Sequence, residues 1–525
     1  MEAVKQVEII RGPGSSLYGS GAVFGVLNVV TKDGADINGV ETKVEGGSES
    51  TGHLNVLAGR KFDNGVDVVA DFAGYTTQGN NDIILDNVNG IAYNNGHLRN
   101  ANYEGVYSGF IKISKGDLTF QADTAARRKD DSQATGLSSF YGPGDMYERR
   151  TNATLRLNHT FDDGGNLQAM LYYGHYHYQE QWPYDLSETQ VPYTYHSAGQ
   201  DDWVGEQIHY GRQLTQQVHL LIGVDGTQSL YTDQHDASSL TGPTLNIPAS
   251  FNSVGFFAEG EIKPTSWLSI TAGARLDQVQ RVGTSASPRF AGIISPTKDD
   301  TIKALYGRAF RDPNLYELLY TSPPPDGTVG NLNLKPEIVD TYELAWERQY
   351  GQGWQSTLNG YLWEMSNSME DFVYPNGSLE TINSSTIWAH GVEAEVDKRW
   401  QDGSSWRTYG SYSRADEEGN GLTHSPNWIL GTSLAIQIIK HCYLSIEPQL
   451  VGGMKSDLGQ FTHPTFITNV VFTSKEFSPG WTFQTGAYNL FADKARLPRD
   501  GPFDQLQATV NYPATTYLVS LSKKF

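Results

Sequence analysis

Tyr176, Tyr178, Trp182, Tyr184, Tyr193, Tyr195 and Trp203 crowd into one stretch that also carries His175, His177, Glu180, Asp185, Asp201 and Asp202. Rings at this density can form a stacking surface for a ring-rich or sugar-like ligand. They can equally form the aromatic girdle at a membrane interface. The run from 175 to 203 is read as a loop, and both readings stay open. His175 and His177 share a face at spacing two, but the sequence places no third ligand beside them, so no metal is assigned. Asp82, Asp86, Asp130 and Asp131 could collect a hard cation such as calcium, although solvated loop acids account for them more simply. Gly12-Pro13-Gly14 lacks the Gly-Lys-Ser/Thr of a phosphate loop. No Ser, His and Asp set and no carboxylate pair stands in a strand-turn context that catalysis would require. The expectation is a protein that is not an enzyme and uses no cofactor.

The elements that must position these residues show first at the carboxy-terminus. In Tyr517 to Phe525, Tyr517, Val519, Leu521 and Phe525 share one face, while Leu518, Ser520, Ser522 and Lys524 share the other. Only Lys523 interrupts the apolar face, next to the end, where a long amine can snorkel to headgroups. A terminal strand apolar on one side and polar on the other suits the closing strand of a transmembrane β-barrel, which places the protein in an outer membrane.

Composition neither forbids nor demands this. The chain holds 525 residues with Gly 55, Tyr 29 and Trp 11, and it contains no apolar run of about 18 residues. That excludes helical membrane spans but not a barrel, whose strands need only about 10 residues each. A net charge of −21 argues against nucleic acid as a partner. Cys442 is the only cysteine, so neither an intramolecular disulfide nor a cysteine-based metal site can form.

From about residue 40 onward, strand-like stretches alternate with turns to give about 22 strands. Tight links such as Asp63-Asn64-Gly65, Lys115-Gly116 and Gly351-Gln352-Gly353 alternate with long ones such as 77 to 102, 180 to 202 and 312 to 336. In an up-and-down sheet, alternate links lie on the same side, so the rhythm predicts one rim of tight turns and one of long loops. Leu268, Ile270, Ala272, Ala274 and Leu276 oppose Ser269, Thr271, Gly273 and Arg275, and Val392, Ala394 and Val396 oppose Glu393, Glu395 and Asp397. One face suits lipid and the other a wet lumen. Met369 to Tyr374 is counted as loop, because a further strand would invert the rhythm after it. The Pro-rich run Ser322 to Gly327 is read as a stiffened loop without a functional role.

Residues 4 to 32 contain Val7-Glu8-Ile9-Ile10-Arg11-Gly12-Pro13-Gly14-Ser15-Ser16-Leu17-Tyr18-Gly19, then Ala22, Gly25, Asn28 and Thr31-Lys32. This stretch resembles the end of the plug domain of TonB-dependent outer-membrane receptors. Tyr306-Gly307-Arg308-Ala309-Phe310-Arg311-Asp312-Pro313, Asn333-Leu334-Lys335-Pro336-Glu337, Gly391-Val392-Glu393, Tyr488-Asn489-Leu490-Phe491 and the terminal Phe525 resemble that family's barrel landmarks, in the family's order.

The resemblance implies an all-β chain, a transmembrane antiparallel β-barrel of about 22 strands with a residual plug segment. It divides the chain into residues 1–36, the carboxy-terminal remnant of the plug domain, and 37–525, the barrel. It also implies a monomeric receptor in the outer membrane of a Gram-negative bacterium, surrounded by outer-membrane lipid. Such a receptor imports a scarce nutrient, typically a ferric siderophore or cobalamin, with energy passed from TonB. A carbohydrate receptor, a passive pore, an adhesin and a secreted β-propeller hydrolase are the alternatives; the propeller lacks its blade repeat. Signal peptide, TonB box and most of the plug do not appear in this sequence, and a truncated product or a late-placed start is the expectation. By the same resemblance, Arg11 would pair with Glu343 and Glu393 across the plug-barrel boundary, since an unpartnered arginine in the lumen is costly to bury; the alternative is two lumen acids solvated by water.

Overall fold

A computed structural model describes residues 2–80, 82–84, 97–131, 144–184, 193–239, 242–322, 327–457, 459–493, 496–498, 509–511 and 514–525. Alternating β-branched, aromatic and polar residues build long antiparallel strands that close into a barrel of 22. The first barrel strand, Gly39–Gly47, pairs with the last, Thr516–Lys524, from Glu41 opposite Lys524 to Gly47 opposite Leu518. Pairing first strand to last closes the membrane-spanning wall, the condition for a sheet in hydrocarbon, where unpaired backbone groups find no water.

Period two sets the faces. Leu276, Leu344, Val392 and Leu521 are 56%, 60%, 51% and 41% exposed and point outward, whereas Arg275 beside them is 3% exposed and points into the bore. Glu206 interrupts the outer face opposite Leu171. Tight turns join the strands at one rim, as at Phe62 to Val66, where Phe62 N donates to Val66 O at 2.8 Å. The long connections lie at the other rim, which also has short links at Ser48–Ser50 and at 280–282.

Two sequence expectations need correction. The stretch from 175 to 203 is not mainly loop: Asn166–Tyr184 and Tyr193–Gln213 continue their ladder from Asn166 opposite Gly211 to Tyr184 opposite Tyr193. The strands Tyr193–Gln213 and Val218–Ser238 have 21 residues each, about twice what a bilayer crossing needs. Their surplus stands above the membrane, where both faces are polar and the lipid pattern fades. Met369–Val373 is a strand rather than loop, but it pairs with Leu379–Asn383 in a separate three-stranded sheet. The barrel parity is therefore unaffected.

The amino-terminal residues form a hairpin, Val4–Arg11 with Gly25–Thr31, separate from the wall. It ends in a one-turn helix, Gly34–Ile37, capped by Asp33. Asp67 of the wall accepts from Gly34 N at 2.5 Å and Ala35 N at 3.3 Å, satisfying backbone donors that a helix start leaves free. Ile37 packs with Ala3, Leu57 and Val69 in a buried cluster. Gly34 has no room for a side chain, since a Cβ there would stand 2.5 Å from Val68 O.

Candidate functional site

The amino-terminal segment is stitched to the inner wall by backbone and hydroxyl groups. At the end of the strand Asp300–Arg311, Phe310 N donates to Ser15 Oγ at 3.3 Å, and Gly21 N donates to Phe310 O at 2.9 Å. Asp312 N donates to Ser20 Oγ at 2.9 Å. Gly19, at φ 74°, sits against the Arg275 guanidinium; a Cβ there would lie 3.1 Å from Nη2. Arg275 in turn makes a bidentate pair with Asp225, at 2.5 and 2.7 Å, and bonds Asp277 at 2.9 Å. The sequence reading missed this cluster, although Arg275 and Asp277 at spacing two on a polar strand face were its visible half.

Asp312 lies just beyond its strand, outside the membrane-spanning segments, and burial pushes its carboxyl up to about 6 from 3.8. A carboxyl raised on folding contributes stability at pH below about 4 and loses it as pH climbs through about 6. Docking of residues 19–21 is therefore expected to loosen over that interval. Asp312→Asn should remove the pH dependence of protease cleavage near Gly19, and an unchanged profile would count against this assignment.

Of the residues expected at the plug-barrel contact, Arg11 Nη1 lies 3.2 Å from Glu393 Oε2. The structure places Glu343 close by, with its carboxylate packed where a side chain on Gly12 would go, 2.7 Å from that Cβ position. Arg11, Glu343 and Glu393 line a cavity of about 250 Å³ with Tyr361 and Trp363. The premise of a costly buried arginine does not hold, because the Arg11 side chain is 68% exposed. An ion pair that open to water contributes about 1 kcal/mol or less. Arg11→Ala is accordingly expected to raise protease sensitivity of the 4–32 segment only slightly, less than disrupting the Ser15 and Ser20 contacts; a wholesale release would contradict this ranking.

Register gathers the expected aromatics. Tyr176 stands opposite Asp201, Tyr178 opposite Gly199, Trp182 opposite Tyr195, and Gly174 opposite Trp203, all on the inner face. Tyr176, Tyr178, Gly199, Asp201, Thr232 and Gln234 border a cavity of about 340 Å³. Tyr176 Oη donates to Glu148 at 2.8 Å, and Trp182 and Tyr195 lie 5.9 Å apart. Tyr195 Oη approaches Tyr320 Oη at 3.3 Å, and Tyr320 donates to the buried Asp236. Trp203 receives the Arg150 guanidinium over its ring at 5.9 Å. The side chains of Tyr184 and Tyr193 lie outside the described residues. His175 and His177 fall on the opposite, outer face, and His175 Nδ1 meets Asp202 at 2.9 Å. Asp86 and the Asp131 side chain lie outside the described residues, while Asp82 is held by His97 at 2.8 Å. Among the described residues, no three His, Cys, Asp or Glu side chains converge to hold a metal ion.

A closed barrel with a lipid-facing exterior, a polar bore and a segment docked inside it defines an outer-membrane receptor or channel. Residues 74–522 match the family model described as TonB dependent receptor-like, beta-barrel, and the chain belongs to that family of outer-membrane transport receptors. It is similar to the ferric enterobactin receptor PirA of Pseudomonas aeruginosa, at 24% identity over all of this chain and 79% of that protein. It is also similar to the vitamin B12 transporter BtuB of Vibrio cholerae, at 24% identity over 88% of this chain and 70% of that one. Among solved structures, the ferric enterobactin receptor PfeA bound to BCV-L6 superposes with a TM-score of 0.78 at 18% identity, covering 100% of this chain and 86% of the other.

Proposed function

We propose that this protein takes up a ferric siderophore across the outer membrane, with energy delivered through TonB. In this reading residues 1–36 are plug and 37–525 barrel, the working form is a monomer, and no catalysis is involved. The observation that carries it is the inner-face aromatic cavity of Tyr176, Tyr178 and Asp201, set in the long strands above the docked segment. Rings facing inward at the long-loop rim offer flat apolar surface to a chelate's rings, with phenol hydroxyls to orient it. The similarity to receptors named for ferric enterobactin supports the same ligand class.

Cobalamin is the second reading, favoured by the similarity to BtuB. Transport of radiolabelled iron as its siderophore chelate, by cells expressing this protein with and without TonB, tests the proposal. Uptake that needs TonB, and that falls when Tyr176 and Tyr178 are both changed to Ala, supports it. TonB-dependent uptake of labelled cobalamin alone would replace it with the second reading, and TonB-independent leakage of both solutes would indicate a passive pore.

A further inference from the structure

Four strands that run toward the tight turns finish on the same outward-facing triplet of cation, any residue and aromatic ring. These are Arg60-Lys61-Phe62, Arg348-Gln349-Tyr350, Lys398-Arg399-Trp400 and Lys523-Lys524-Phe525. Period two places the first and third members on one face, and that face is the lipid side, shared with Leu54, Leu344, Val396 and Leu521. In each triplet the cation lies over its own ring, at 5.7, 5.4, 5.6 and 5.7 Å in chain order. Lys398 and Lys523 also cover Trp354 and Trp481, at 5.2 Å each.

Three of these four cations stand without a carboxylate among the described residues. Arg348 has Asp300 at 3.1 Å. Arg60, Lys398 and Lys523 have no carboxylate partner among the described residues; Lys398 donates to Gln352 O, and Lys523 to Pro479 O at 2.8 Å. Other outward arginines do have an aspartate: Arg212 at the same rim has Asp163 at 3.1 Å, and toward the long loops Arg128, Arg308 and Arg414 are clamped by Asp145, Asp340 and Asp416, with bonds of 2.8–3.0 Å. In a chain of net charge −21, carboxylates were plentiful enough to neutralise the tight-turn rim as well. Arg60 and Lys523, left without a carboxylate at headgroup depth and each braced on a ring, call for an anion that the membrane supplies.

We propose that this girdle binds the phosphate headgroups of net-anionic phospholipids in the leaflet beside the tight turns. A ring under an ammonium or guanidinium holds it at interface depth and leaves other N–H groups free for phosphate oxygens. A zwitterionic headgroup carries the same phosphate but brings its own cation, so it gains less from the site. Juxtamembrane Lys and Arg attract anionic lipid in just this additive way.

The experiment equilibrates the purified full chain with bilayer discs holding equal phosphatidylglycerol and phosphatidylcholine, then identifies retained lipids by native mass spectrometry. Phosphatidylglycerol should be enriched roughly tenfold at low salt, and the enrichment should fall as salt rises. The double variant R60Q/K523Q should lose most of it, while R60K/K523R should keep it. Lys398 is left alone because it is 7% exposed and holds its turn. Equal retention of the two lipids by the unaltered protein overturns the proposal, as does full enrichment in an R60Q/K523Q protein whose gel migration remains heat-modifiable. Should that variant fail to fold, the lipid preference of the unaltered protein and its salt dependence decide the matter.

Discussion

Arg275→Ala is expected to cost the folded barrel about 3–5 kcal/mol, the penalty for leaving buried charge without its partner. The Arg275 side chain is 3% exposed, and it is the cation bonded to both Asp225 and Asp277, themselves 22% and 6% exposed. Removing it leaves two like charges facing each other across the space it filled, and strips the surface on which Gly19 rests. Urea unfolding followed by tryptophan fluorescence in lipid vesicles gives the number. The triple change Arg275→Met, Asp225→Asn and Asp277→Asn should recover most of the loss, because replacing an entire buried ion cluster is far less costly than breaking it. A loss below about 1 kcal/mol for Arg275→Ala would show that water enters the cluster freely.

Leu344→Arg carries the second large effect. Leu344 is 60% exposed at the middle of the strand Glu337–Gly351, on the face it shares with Tyr342 and Trp346. At the bilayer midplane a guanidinium costs a transmembrane barrel about 2–4 kcal/mol. Glu343, one residue away, points into the bore beside Arg11 and Glu393. Glu343→Gln keeps the side chain's size and its place against Gly12, and should therefore cost less than about 1 kcal/mol of vesicle-measured stability. Equal penalties at both positions would mean that the wall has no lipid side there.

Much of this could be read from the chain because a lipid face and a wet face impose opposite tastes on alternate residues. Tyr517 to Phe525, Leu268 to Leu276 and Val392 to Val396 announce their faces, and the long and short links announce the rims. What escaped notice lies where that contrast vanishes. Beyond the membrane, Tyr176 to Pro183 and Thr194 to Trp203 carry polar residues on both faces, so nothing in their pattern separates strand from loop. Met369–Val373 needs Leu379–Asn383 to be a strand at all, and its tight Asn376-Gly377 turn was the available signal.

The functional residues divide along the same line. Tyr176, Tyr178, Trp182, Tyr195 and Trp203 could be picked out by density, but only the register, with even positions of one strand facing odd positions of the next, brings them to one face. Arg11 could be matched to Glu393 through the family pattern, while its openness to water could not be foreseen. Asp225 lies 50 residues from Arg275, and no local spacing links them.

Nitroxide probes along Thr341 to Trp346 measure in vesicles which way each residue of one wall strand faces. Probes at Tyr342, Leu344 and Trp346 should collide readily with oxygen dissolved among acyl chains and rarely with an aqueous nickel chelate, whereas those at Thr341, Glu343 and Ala345 should show the reverse. Collision rates without that two-residue alternation, or nickel access at Leu344, would contradict a lipid-embedded barrel with a wet interior.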